Sequence, residues 1–198
     1  MTLPAFYPIF DHISWFERLI PRGIKLVQLR IKDMETAELR DQISQAKAIC
    51  DAHGVLLVVN DYWQHAIDQN CDWLHLGQED LDTADLKAIR KTGLKLGIST
   101  HDHAELDRAL SLDPDYIALG PVYPTILKKM KWHEQGLDRV TEWKKRLGDI
   151  PLVAIGGMSV ERAAGALAAG ADIVSAVTDI TLNENPDARV DAWLEVAQ

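Results

Sequence analysis

Lys25-Leu26-Val27-Gln28-Leu29-Arg30-Ile31-Lys32 alternates apolar and polar residues with period two, which predicts a β-strand. Val27, Leu29 and Ile31 fall on one face; Gln28, Arg30 and Lys32 fall on the other. Two readings compete for that polar row. It is the solvated face of a surface strand, or it points into a barrel at the ligand-binding end. In the second case a guanidinium and an ammonium aimed inward two residues apart require an anion. The rest of the chain decides between them.

Outward from this strand, short apolar runs alternate with helical patterns. Strands are predicted over Phe6–Phe10, Ile24–Ile31, Val55–Val59, Trp73–Leu76, Leu94–Ile98, Tyr116–Leu119, Leu152–Ile155 and Ile173–Val177. Helices are predicted over Ile13–Ile20, Thr36–His53, Asp61–Gln69, Thr83–Thr92, Asp102–Leu110, Asp138–Leu147, Val160–Ala169 and Asp187–Val196. Thr36–His53 is the clearest helix. Leu39, Ile43, Ala46 and Ile49 form its apolar stripe, Thr36 is placed to cap it and Gly54 to end it. Val55–Val59 is apolar throughout, as a strand buried on both faces in a parallel sheet must be. Eight strand–helix units of about 25 residues each predict a compact, single-domain (β/α)8 barrel of the TIM type spanning residues 1–198. The competing open doubly wound sheet is disfavoured, because no G-x-G-x-x-G follows the first strand.

Composition narrows the class of function. The chain is 47% hydrophobic and 26% charged, which suits a soluble globular domain with a sizeable core. A net charge of −9 argues against general binding of nucleic acid or anionic membranes, so any anion must be held by a local cluster. Cys50 and Cys71 show no metal or disulfide spacing, and a reducing cytoplasm fits. The opening Met1-Thr2-Leu3-Pro4-Ala5 carries no signal-peptide pattern, and no apolar run reaches membrane length. Neither nucleic acid nor membrane is therefore expected as a partner; the expectation of phosphorylated small molecules rests on the anion-binding groups at the strand ends. Oligomeric state, including a homo-oligomer, is left open.

In such a barrel, catalytic groups lie at the carboxyl ends of the strands. Asn60-Asp61 follows the third strand, and His75-Leu76-Gly77-Gln78-Glu79-Asp80-Leu81 closes the fourth. Asp61 and Asp80 can share one hard cation, Mg²⁺, completed by water and substrate oxygens. Alternatively, Asp61 caps its helix and Asp80 sits in a turn; Glu79 is a rival ligand or faces solvent. Ser99 ends the fifth strand and can donate to a ligand oxygen. His101 is an acid–base group or, preferably, an ordinary residue at a helix start. The longest loop, from Gly120 to about Gly136, carries Thr125 and the basic run Lys128, Lys129 and Lys131; a lysine there can close over an anion. Gly156-Gly157 and Val177-Thr178 follow strands seven and eight, where backbone N–H groups often hold a phosphate. His12, His53, His65, His103 and His133 show no ligand spacing. The tryptophans read as packing residues, with Trp132 in the long loop the exception.

Taken in order, these stretches resemble the thiamine phosphate synthase family: Gln28-Leu29-Arg30-Ile31-Lys32, Asn60-Asp61, His75 to Leu81, Gly97-Ile98-Ser99, Gly120-Pro121-Val122-Tyr123-Pro124-Thr125, Val153 to Gly157 and Gly170-Ala171-Asp172. The resemblance runs from Phe6 to about Thr181. It implies a transferase of thiamine biosynthesis that joins hydroxymethylpyrimidine diphosphate to a thiazole phosphate, with loss of diphosphate before the thiazole nitrogen adds. It implies that Gln28, Arg30, Lys32, Asn60, Ser99 and Lys128 bind the pyrimidine diphosphate, with Leu29 and Ile31 in the same stretch. By the same resemblance, Arg30, Lys32, Ser99 and Lys128 would carry catalysis, Asp61 and Asp80 would hold Mg²⁺, and Thr125, Gly157, Val177 and Thr178 would bind the thiazole phosphate. Leu127 departs from the family's Thr-x-Thr-Lys pattern in the long loop, and Asp179 puts a carboxylate beside a phosphate site. The alternatives are the sister thiazole tautomerase, whose acid–base histidine is replaced here by Pro121, and a catalytically silent barrel that binds thiamine phosphates.

Overall fold

A computed structural model describes residues 2–125 and 132–197. Its eight strands are β1 (Phe6–Phe10), β2 (Leu26–Leu29), β3 (Leu56–Asn60), β4 (Trp73–Leu76), β5 (Lys95–Thr100), β6 (Tyr116–Leu119), β7 (Leu152–Ala154) and β8 (Ile173–Ala176). All neighbours pair in parallel, and β1 pairs with both β2 and β8, so the sheet closes into a barrel. The helices are α1 (Ile13–Leu19), α2 (Thr36–His53), α3 (Trp63–Asp68), α4 (Leu86–Lys91), α5 (His103–Leu110), α6 (Gly136–Leu147), α7 (Val160–Ala168), α8 (Thr178–Thr181) and α9 (Pro186–Val196). Short 3₁₀ turns over Ile20–Arg22 and Asp80–Asp82 complete the described elements. No helix among the described residues is long and apolar enough to cross a membrane.

The period-two pattern sorts side chains into two cores. Val27, Leu29 and Ile31 join the layer between barrel and helices, with Val59, Leu74 and Ile98. Leu26 points the other way, into an inner core with Tyr7, Val58, Trp73, Tyr116 and Val153. Gln28 shares this inner face and is buried there. The polar row of the opening stretch therefore faces the barrel interior.

Several boundaries differ from expectation. β2 is shorter than Ile24–Ile31; Arg30 lies past its end, although its N–H still donates to the Phe10 carbonyl at 2.8 Å. The α2 N-cap is Glu35 rather than Thr36, without a side-chain capping bond. The third helix is only Trp63–Asp68, because Asp61 is spent on a tight turn with φ of 65°. The fourth starts at Leu86, after the 3₁₀ turn that holds Asp80. The four-residue α8 is too short to show a helical period.

Candidate active site

A cavity of about 300 Å³ opens at the carboxyl ends of the strands. Gln28, Arg30, Lys32, Asn60, Asp61, Asp80, Ser99, Thr125 and Val177 all line it. Not every expected residue does. The Leu29 and Ile31 side chains are buried in the outer layer, turned from the cavity by the strand's alternation. Gly156 lines the cavity, whereas Gly157 lies one residue beyond. Thr178 opens α8, half-buried and outside the lining. Leu127 and Lys128 lie outside the described residues.

The acidic wall comes from β3 and β4. Asp61 donates its N–H to the His75 carbonyl at 2.9 Å, and its own carbonyl accepts from Trp63 N–H at 2.8 Å. This left-handed turn, which Asp tolerates better than most residues, throws the carboxylate into the cavity. Lys32 Nζ donates to Asp61 Oδ2. Asp80 Oδ2 accepts from Gly77 N–H at 3.2 Å, and a Cβ on Gly77 would come within 2.9 Å of that oxygen. Burial and then the Asp61 carboxylate, which also shares a hydrogen bond with it, push the Asp80 carboxyl up; Lys32 and Gly77 pull the other way. Ionising Asp80 is thus costly, first because it is partly buried and then because Asp61 stands beside it. Among the described residues no group of three or more His, Cys, Asp or Glu converges. Two carboxylates with space for water and substrate oxygens suit a hard cation such as Mg²⁺ better than zinc. Glu79 reaches the rim and is exposed.

Beside this pair, Arg30 lines the wall and meets no carboxylate among the described residues. β3 and β7 stand four strands apart in a ring of eight, so the Gly156–Val177 side faces the charged wall across the cavity. There the glycines serve loop packing. Gly156 has φ of 91° and Gly157 of 62°; a Cβ on Gly157 would lie 2.3 Å from the Pro124 carbonyl oxygen. The β7–α7 turn can nest against the β6–α6 loop only without side chains there. Tyr123 N–H donates to the Gly156 carbonyl at 3.0 Å across this contact.

Asp179 does not oppose a phosphate in this region. Its carboxylate accepts from Arg189 Nε at 2.7 Å and Trp193 Nε1 at 2.8 Å, on the helix side. The long loop re-enters at Trp132, which lines the cavity and stacks on His101 with centroids 4.2 Å apart. His101 is more than a helix-start residue: it lines the cavity, while its Nδ1 and N–H both meet Glu105 Oε2 at 2.7 Å. Asp102 caps α5 instead, accepting from Glu105 N–H at 2.9 Å.

Sequence reasoning misses the cavity floor. Tyr7 and His75 line it, and Tyr116 lies buried against both. A Cβ on Gly97 would fall 2.0 Å from Tyr116 Cζ, so glycine there makes room for the ring. The available signal was the position of His75 and Tyr116 on the inward face of predicted strands.

A family model described as thiamine monophosphate synthase matches residues 7–180. The chain is 58% identical to a thiamine-phosphate synthase of Rhizobium etli over 98% of this chain and 95% of that protein. It is 48% identical to a thiamine-phosphate synthase of Citrobacter koseri, over 90% of this chain and 85% of that one. The solved thiamine phosphate pyrophosphorylase from Pyrococcus furiosus superposes with a TM-score of 0.87 at 22% identity, covering 98% and 95% of the two chains, a likeness of fold. With the cavity at the strand ends and the matching family spanning nearly all of the barrel, the chain belongs to the thiamine monophosphate synthase family.

Proposed function

We propose that this cavity joins hydroxymethylpyrimidine diphosphate to a thiazole phosphate, giving thiamine phosphate and free diphosphate. The observation that carries this reading is the placement of Arg30, Lys32 and the Asp61–Asp80 pair on one side of a cavity whose other side is the Gly156–Val177 backbone. One side suits a diphosphate; the other leaves room for a second substrate. Arg30 and Lys32 would bind diphosphate oxygens and take up the charge that grows as the carbon–oxygen bond breaks. The thiazole nitrogen, held close by Thr125 and the Val177–Thr178 backbone, would then supply the electron pair for the new carbon–nitrogen bond. Asp61 and Asp80 would hold Mg²⁺, which when bound neutralises the departing diphosphate. Asn60 and Ser99 would orient the pyrimidine end. Lys128 is assigned the same anion as Arg30. The protein would act on dissolved small molecules in the cytoplasm, without nucleic acid or membrane as partner, as a monomer or homo-oligomer.

The test is to mix purified protein with both substrates and Mg²⁺ and to follow diphosphate and thiamine phosphate together. Equimolar formation of both, lost with EDTA, is expected. Saturable binding of either substrate without product would overturn the reading in favour of a silent barrel.

A further inference from the structure

The barrel interior contains a chain of polar groups that links Gln28 to Ser99 through Tyr7, Tyr116 and His75, three residues to which the transfer reaction assigns no role. Gln28 Nε2 donates to the Tyr7 hydroxyl oxygen at 2.7 Å. The Tyr7 and Tyr116 hydroxyls are 2.9 Å apart. Tyr116 Oη lies 2.8 Å from His75 Nδ1, and His75 Nε2 lies 2.8 Å from Ser99 Oγ. Gln28, Tyr7, Tyr116 and His75 are each no more than 7% exposed, so water competes poorly for these bonds. The groups come from β2, β1, β6, β4 and β5, so only the closed barrel assembles them.

We propose that Gln28, Tyr7, Tyr116 and His75 form a one-way hydrogen-bond chain that turns the Ser99 hydroxyl proton toward the ligand. The direction follows from the donor inventory. An amide nitrogen can only donate, so Tyr7 accepts from Gln28. Tyr116 is the other partner of the buried Tyr7 hydroxyl, and a Tyr7 proton aimed elsewhere would go unmet, so the proposed chain sends it to Tyr116. Tyr116 in turn gives its proton to His75 Nδ1. A neutral imidazole that accepts at Nδ1 carries its proton on Nε2, where it meets Ser99 Oγ. The ring is buried, and its two nitrogens meet hydroxyl oxygens rather than a carboxylate, which favours the neutral imidazole. Ser99 accepts there, and its hydroxyl proton turns to the cavity that it lines. Its backbone is fixed as well: Gln78 Nε2 donates to the Ser99 carbonyl at 2.8 Å. The four residues behind Ser99 are positioning residues. They make Ser99 a committed donor, which selects a ligand with an acceptor there, such as a ring nitrogen lone pair or a phosphoryl oxygen.

This inference rests on the proposed reaction only for the ligand's identity; the direction of the chain can be measured without substrate. In protein labelled with ¹⁵N-histidine, His75 is assigned by its absence from the His75→Gln spectrum. The expected result is a pyridine-type Nδ1 and a pyrrole-type Nε2. A proton on Nδ1, or an average of both tautomers, would overturn the proposal, because the chain would then run backwards or not at all. The second readout is a double-mutant cycle. Tyr116→Phe keeps the ring and deletes one oxygen. It should lower kcat/KM for the pyrimidine diphosphate by about fivefold, with KM for the thiazole phosphate unchanged. In a Ser99→Ala background the same change should cost nothing further. A full additional loss would show that Tyr116 acts through packing alone, which would also overturn the proposal. If the wild type gives no product, the proposed reaction falls, and the His75 tautomer alone decides this inference.

Discussion

At the scale of single residues, the Asp80 carboxylate is costly to hold beside Asp61. Lys32 reaches Asp61 and a backbone N–H reaches Asp80, and the Asp80 carboxyl is still pushed up by burial and by its neighbour. A bound dication relieves that conflict. Mg²⁺ is therefore expected to raise the melting temperature of the wild type and to leave that of Asp80→Ala unmoved. The same variant should lose at least about a hundredfold in Mg²⁺-dependent turnover, with an unchanged far-UV circular dichroism spectrum. Retained activity would remove the metal assignment. These two aspartates are legible in the sequence because strand ends can be counted. Asp179 is not: its meaning depends on Arg189 and Trp193, which reach it only after α9 folds back. His75 likewise reads as part of a motif, and nothing along the chain announces that Tyr116 sits against it.

At the scale of elements, the strands are legible because parallel strands buried on both faces leave unbroken apolar runs, as in Val55–Val59. The helices are legible where they are long enough to repeat, which α2 is and α8 is not. Strand contents also depend on neighbours. Position 97 on β5 pairs with position 116 on β6, and the Tyr116 ring occupies the space a side chain at 97 would need. Gly97→Ala should overpack this contact by about 2 kcal/mol, lowering the melting temperature by about 4–8 °C. An unchanged melt would mean that the ring swings aside freely.

At the scale of the whole molecule, the buried neutral His75 links stability to pH. Its pKa falls from 6.5 in the open chain to about 4 in the barrel. Above pH 6.5 neither state carries the proton. Between the two values only the unfolded chain takes it up, so stability falls as pH falls, and it levels off below about 4. The full loss is about 3 kcal/mol. Urea midpoints measured at pH 7.5 and 4.5 should fall more for the wild type than for His75→Gln; equal falls would mean that other groups dominate the acid response. The barrel itself is legible from the count of eight units, whereas the cavity floor depends on which inward-facing polar groups meet across the ring. Closure has one more consequence. β1 needs β8 on its second edge, Phe6 stacks on Trp193 of α9 at 5.2 Å, and Arg18 pairs with Asp187 at 2.9 Å. During synthesis β1 thus keeps an open edge until β8 has been made. During translation that bare edge is the part of the nascent chain most in need of shelter from its neighbours.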